Sequence, residues 1–579
     1  MLSIIKNLHQ ILDKTQKKIL YINIFLLCFT NIYDFFILLY ILDIFQFLAG
    51  FQDLKTISVL EKIFNIDRNI KILFYFLCFV FIIKFLLTIF VNYLRLKFQK
   101  NLGVYISNTL LNRYLYDNIL NLRNKKNSEL TRNIEITTGL VSNGALQHIF
   151  TISSEIVLIT LIFTLLAIVN FEIIAFSFII ISIISILFYY FFRKKIEKVG
   201  QFFHHTAEEK LQLATETING SLEIRAFHAQ EFFLKKYYSS SVKFFNSNFI
   251  LLFIQQIPRY LIEIVIVLII SASILLYNDN FIDSSELMKT LGIFGLSSFR
   301  LIPSVTKIIH ALQGLKYTQP AVAEIAKEVN DSNIYLANLA DYKKDTKFIN
   351  KNMFKEIIFK DVSFCYPDRD NKIFEKINIK IKKNSINLII GKSGSGKTTF
   401  LNLLLGFIKP DIGEIYINDQ EDKKQYINSL NQSNLMGYVP QKSYLINDTI
   451  KNNITFGSDQ NNVSDESVLE AISFSGLEEF VRNLKNGIHT NVRDFASNLS
   501  GGQAQRINMA RCKFKGSEVL IFDEPFSSLD GENEKNILSN IKKYSLNKTL
   551  IIISHRKIET IKFDNIFEIN DKKMTTKVK

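Results

Sequence analysis

The residues with the clearest chemistry in this 579-residue chain are Gly391-Lys392-Ser393-Gly394-Ser395-Gly396-Lys397-Thr398, followed by Thr399. Glycines at this spacing let successive backbone amides point at phosphate oxygens. Lys397 is placed to neutralise β and γ phosphates, and Thr398 to offer a hydroxyl oxygen to Mg²⁺. The motif needs a strand before it and a helix behind it. The apolar run 385–390 and the helix-forming run 400–407 satisfy both demands, so a chance match is improbable.

Further on, Val519-Leu520-Ile521-Phe522 ends in Asp523 and Glu524. Carboxylates usually sit on solvated faces, so a pair closing an apolar strand is informative. In phosphoryl transfer the first acid suits Mg²⁺ and the second the attacking water, which makes Glu524 the candidate base.

Between these two motifs stands Leu499-Ser500-Gly501-Gly502-Gln503, and with it the chain resembles the ATP-binding-cassette (ABC) family specifically. In that family the pentapeptide closes over the nucleotide held by the other subunit. The resemblance extends to Tyr366 as the aromatic that stacks adenine, and to Gln441 as a catalytic and metal-binding glutamine. It also covers Ser527-Ser528-Leu529-Asp530, with Asp530 at the nucleotide, and His555 as the switch histidine. It implies ATP and Mg²⁺ as cofactors and hydrolysis of ATP. One departure lies just before the signature, where such exporters carry a Gly-rich acidic stretch and this chain has Asn491-Val492-Arg493-Asp494-Phe495-Ala496-Ser497.

The elements around these motifs divide the chain in two. Phe, Ile and Leu dominate the first three hundred or so residues, whereas Gly, Asp, Asn and Lys rise after about residue 350. A bilayer core of roughly 30 Å needs about 20 apolar residues of helix. Six stretches qualify, at 21–49, 71–94, 148–170, 171–192, 249–277 and 287–312, the sixth being the weakest. The expected fold is a six-helix all-α transmembrane domain of the type IV ABC exporter kind over 1–320. A linker follows at 321–351, then an α/β P-loop NTPase domain, the ABC ATPase, at 352–579.

Lys and Arg accumulate at the N-terminus and in the segments after spans two and four, and are missing from the turns near Asn170 and at 278–285. By the positive-inside rule both termini are cytoplasmic, in a multi-pass protein of the inner membrane. The two basic segments have no Pro and continue their spans as long helices. Ile57, Leu60, Ile63 and Phe64 outline an amphipathic helix on the outer side, either a capped external loop or a surface helix touching lipid. No cleavable signal peptide is expected.

The net charge of +15 could suggest a nucleic-acid partner, but its excess basic residues flank bilayer-length segments instead of lining one soluble face. Nucleic acid is therefore not an expected partner. Cys28, Cys78, Cys365 and Cys512 have no paired spacing of a disulfide framework or zinc site.

One chain supplies half of each nucleotide sandwich, so a second copy is the expected partner, with a heterodimer as the alternative. Membrane domain first and cassette second resembles exporters and flippases, hence outward transport, with 219–231 similar to their coupling region and expected to dock near Gln441. Lys84, Arg259 and Arg300 lie in spans two, five and six, where charge is costly without a partner or a cavity. Glu155 and Glu263 are candidate partners. If the cations outnumber them, they suit an anionic head group.

The run Ser298-Phe299-Arg300-Leu301-Ile302-Pro303-Ser304-Val305, the Pro258-Arg259 pair and Glu263 resemble bacterial lipid-linked oligosaccharide flippases. That resemblance implies a lipid-linked oligosaccharide or other anionic lipid as substrate. A drug, peptide or simple-lipid exporter and an ATP-gated regulator or channel are the alternatives. Intact Glu524 and His555 argue against a gate.

Overall fold

The computed structural model describes residues 2–48, 70–117, 119–123, 125–169, 171–278, 284–345, 354–367, 371–419, 423–427, 435–459, 463–492, 501–525, 547–556, 558 and 562–578. The expected external helix around Ile57, both outer turns in large part, Asp494, Leu499, Ser500 and Ser527 to Asp530 lie outside the described residues. The chain divides into two compact units: Met1–Asp117 with Asn121–Asn338, and Asn118–Leu120 with Leu339–Lys579.

The first unit is helical. Among the described residues, six helices exceed twenty residues: α1 (Lys14–Leu48), α2 (Ile70–Tyr116), α3 (Leu146–Val169), α4 (Phe171–Asn219), α5 (Gln230–Asn278) and α6 (Ser284–Asp345). The described part of each expected span falls in one of them, the last residues of spans one and three lying outside the described residues and span four beginning at the first residue of α4. Four stretches are long and apolar enough to cross a membrane among the described residues: Lys14–Ile41, Lys71–Tyr116, Asn127–Thr164 and Gln230–Leu268. In spans four and six the side chains of 171–178, 181 and 287–299 are not described. Phe74, Tyr75, Phe79, Phe85 and Phe90 stand exposed along α2. A helix that satisfies its own backbone and turns aromatics outward is built for lipid, not water.

As expected, α2 and α4 run on well past their spans. α6 does so too: the stretch expected as a linker from 321 is helical to Asp345. Its polar composition conceals a buried stripe of Ala321, Val322, Ile325, Ala326 and Val329, which packs with Ile106, Leu110, Leu146 and Phe150. That spacing, at i, i+1, i+4, i+5 and i+8, is one face of a helix. A glycine allows one close crossing. A Cβ on Gly200 would lie 2.3 Å from the Tyr317 carbonyl oxygen, so α4 and α6 meet backbone to backbone there. Ahead of α3, Asn133–Thr137 and Leu140–Ala145 are π-helical.

The second unit holds two sheets. One is antiparallel, in the order β2-β1-β4-β5, built from β1 (Phe354–Phe364), β2 (Phe374–Lys382), β4 (Ile412–Asp419) and β5 (Lys424–Tyr426). The other is ordered β10-β9-β3-β8-β7-β6 and contains β3 (Ile386–Gly391), β6 (Met436–Val439), β7 (Val519–Asp523), β8 (Thr549–Ser554), β9 (Asn565–Asn570) and β10 (Lys573–Val578). β3, β6, β7, β8 and β9 run parallel, and only β10 pairs antiparallel.

Both faces of the parallel core are covered, which is why its strands are continuous apolar runs. Ile389, Ile521, Ile551 and Ile553 face Phe400 and Leu404 of α7 (Lys397–Leu404). Leu388, Leu520, Phe522, Leu550 and Ile552 face Met509 and Cys512 of α8 (Gly501–Phe514).

Candidate active site

β3 delivers the chain to the phosphate loop, and α7 leaves it. Gly394 and Gly396 adopt φ of +79° and +107°, a region that costs other residues steric strain. A Cβ on Gly396 would also lie 2.9 Å from Ile373 Cγ2. Lys397 Nζ donates to the carbonyls of Gly391 at 2.8 Å and Lys392 at 3.0 Å, holding its charge over the loop. Ser395 Oγ is buried with no hydrogen-bond partner, an orphan polar atom within the phosphate loop. Thr398 is exposed at the start of α7, whereas Thr399 is buried and its Oγ1 lies 3.1 Å from the Tyr366 hydroxyl. The Tyr366 ring packs edge-on against Phe364. This aromatic therefore stands beside the phosphate-loop helix, through Thr399.

At the end of β7 the two acids part. Burial, followed by the charge of Glu524, pushes the Asp523 carboxyl above its ordinary range, while the Tyr438 hydroxyl and Lys397 act in the opposite sense. Tyr438 donates to Asp523 Oδ2 at 3.4 Å, and burial raises the phenol above its usual value. Glu524 has φ +49°, and its N–H donates to the Ile553 carbonyl at 2.9 Å. Its carboxylate accepts from Gln441 Nε2 at 2.7 Å on Oε2, and His555 Nδ1 lies 3.5 Å from Oε1. Gln441, Glu524 and His555, singled out separately in the sequence, thus lie together. Gly501, Gly502 and Gln503 open α8, with Gly502 buried.

Hydroxyl, carboxylate and amide oxygens on Thr398, Asp523 and Gln441 form a hard donor set that suits Mg²⁺. A carboxyl disfavoured in its charged form by burial fits a cation as its partner.

The helical unit carries its own charged groups. Arg259 pairs with Glu263 at 2.9 Å, as the sequence allowed. Glu155 instead takes Lys307 at 2.7 Å. Lys84 and Arg300 converge on Asp34 of α1, at 2.8 Å and 3.3 Å. Sequence reasoning missed Asp34 and Tyr438, because nothing local shows that Asp34 faces α2 and α6, or that β6 lies beside β7.

The ABC transporter family matches residues 374–527. A Rickettsia typhi protein provisionally named an export ATP-binding/permease protein is 39% identical over 221 residues, 38% of this chain and 38% of that protein. An ATP-dependent lipid A-core flippase of Francisella tularensis subsp. holarctica is 30% identical over 61% of this chain and 55% of that protein. The matched regions thus span less than two thirds of either relative's length. A bacterial Atm1-family ABC exporter, solved with ATP bound, superposes over 97% of this chain and 94% of its own, with TM-score 0.69 and 19% identity. That likeness speaks for the fold alone. The chain carries an ABC transporter domain, on a fold shared across nearly its whole length with an ABC exporter.

Proposed function

We propose that this chain is one half of an ATP-driven exporter or flippase, and that it pairs with a second copy and moves a lipid with an anionic head group outward across the cytoplasmic membrane. Both termini lie in the cytoplasm on this reading. The ABC transporter domain, the exporter fold and the relative named as a lipid A-core flippase support it. The observation that carries the substrate class is the sharing of Asp34 by Lys84 and Arg300. Among the described residues, this cluster sets one carboxylate against two cations on apolar helices, where an unmatched charge is costly and an anion would be stabilised. A lipid-linked oligosaccharide is the finer form of this proposal.

At the nucleotide, Lys397 and the loop amides offset phosphate charge, and Glu524 takes the proton of the attacking water while Gln441 and His555 orient its carboxylate. Thr398, Asp523 and Gln441 would hold Mg²⁺, which supplies charge neutralisation on the phosphates. The signature Leu499 to Gln503 and Asp530 of a second copy would complete the sandwich, with Tyr366 against the adenine.

Neutralising Lys84, Arg259 and Arg300 together tests the substrate reading. The expected variant folds, keeps basal ATPase activity and no longer flips a fluorescent anionic lipid in proteoliposomes. Unchanged flipping would sink the assignment.

A further inference from the structure

β6 lies parallel to β7, with Tyr438 opposite Ile521 and Val439 opposite Phe522. Side chains alternate across a sheet, so Tyr438, Ile521 and Asp523 share one face, the face covered by α7. Pro440 ends the strand and Gln441 follows. The segment 438–441 therefore touches both acids that close β7: Tyr438 reaches Asp523 Oδ2 at 3.4 Å, and Gln441 reaches Glu524 Oε2 at 2.7 Å. The Tyr438 ring is half-buried and packed on the apolar core, which fixes where its hydroxyl can go.

At 3.4 Å the Tyr438 hydrogen bond is long for an O–H···O contact and adds little to stability. What it constrains is direction. A carboxylate held at Oδ2 has fewer directions open to its other oxygen. Partners that orient a metal ligand from behind typically change metal affinity by about 10- to 100-fold when removed.

We propose that Tyr438 is a positioning residue for the divalent cation, holding Asp523 so that one carboxylate oxygen is presented to the metal that accompanies ATP. This rests on Asp523 being a cation ligand, as proposed above. Gln441 would place the base from the same short segment, so a shift of that segment would move metal ligand and base together.

The test uses the full-length protein, AMP-PNP and Mn²⁺ as the probe, with free Mn²⁺ read by electron paramagnetic resonance. Tyr438→Phe keeps the ring and deletes the donor. Its Mn²⁺ dissociation constant is expected to rise about 10-fold, with thermal unfolding and metal-free nucleotide binding unchanged. Mn²⁺ affinity unchanged in Tyr438→Phe but lost in Asp523→Asn overturns the role of Tyr438 alone. Mn²⁺ affinity unchanged in Asp523→Asn overturns the assignment of Asp523, and the proposal with it.

Discussion

Gln441 donates a side-chain N–H to Glu524 Oε2 at 2.7 Å while His555 Nδ1 stands 3.5 Å from Oε1, so both carboxylate oxygens of the candidate base are addressed. The backbone of Glu524, at φ +49°, is anchored by its N–H to Ile553. Strain of this kind persists where the surroundings over-determine it. Glu524→Gln is expected to lower ATP turnover by roughly 10²- to 10⁴-fold, the usual worth of a general base, with nucleotide binding retained. Turnover and binding of a fluorescent ATP analogue measured on the same sample check this. Turnover within a few-fold of the parent would remove Glu524 from the chemistry.

Asp523 gives a pH signature. Its folded-state carboxyl is raised above the ordinary 3.8 by burial and by Glu524. An acid raised on folding contributes stability that is fully present below its unfolded value and is lost as pH rises through the folded one. Without metal and nucleotide, Asp523→Asn is therefore expected to gain melting temperature relative to the parent as pH rises from the ordinary 3.8 through the raised folded-state value. A gap independent of pH would contradict the assignment.

The glycines of the phosphate loop separate strain from clash. Gly394 and Gly396 both have positive φ, but a Cβ on Gly394 meets nothing within 4 Å, whereas one on Gly396 meets Ile373 and Phe374. Gly394→Ala should cost only the left-handed backbone penalty, about 1–2 kcal/mol, and weaken ATP binding mildly. Gly396→Ala should weaken it far more. Titration of both variants with an ATP analogue ranks them, and equal losses would argue against the packing at Gly396.

The shared carboxylate makes a prediction about the helical unit. Asp34→Asn leaves Lys84 and Arg300 without their common partner. The loss should fall below the roughly 3–5 kcal/mol of a fully buried pair, since Arg300 is 45% exposed. Adding Lys84→Met should restore part of the melting temperature, because it removes one of the cations left unmatched. Purely additive destabilisation in this double-mutant cycle would show that the groups are not coupled.

These residues also show how much the sequence discloses. Gly391 to Thr398 and Asp523-Glu524 were legible because their chemistry is contiguous and their flanking apolar runs specify strand and helix. Gln441 and His555 became legible through the order of family motifs, and the structure brings both to Glu524. Asp34 was not legible, since its meeting with Lys84 and Arg300 depends on how three helices turn about their axes. Tyr438 depends on a parallel strand pairing between residues some eighty positions apart. The helical stretch 321–345 did carry a signal, the stripe from Ala321 to Val329, obscured by the polar residues around it.

On the proposed function, ATP hydrolysis in the second unit drives movement of a lipid-linked oligosaccharide through the first. The most direct measurement is ATP-dependent protection of a fluorescent lipid-linked oligosaccharide from an outside probe, in liposomes carrying the purified protein or Glu524→Gln. Protection by the parent and none by Glu524→Gln is the predicted result. ATPase activity that Glu524→Gln abolishes, with no protection by either protein, would contradict the lipid-linked oligosaccharide assignment and leave the ATPase standing without that substrate.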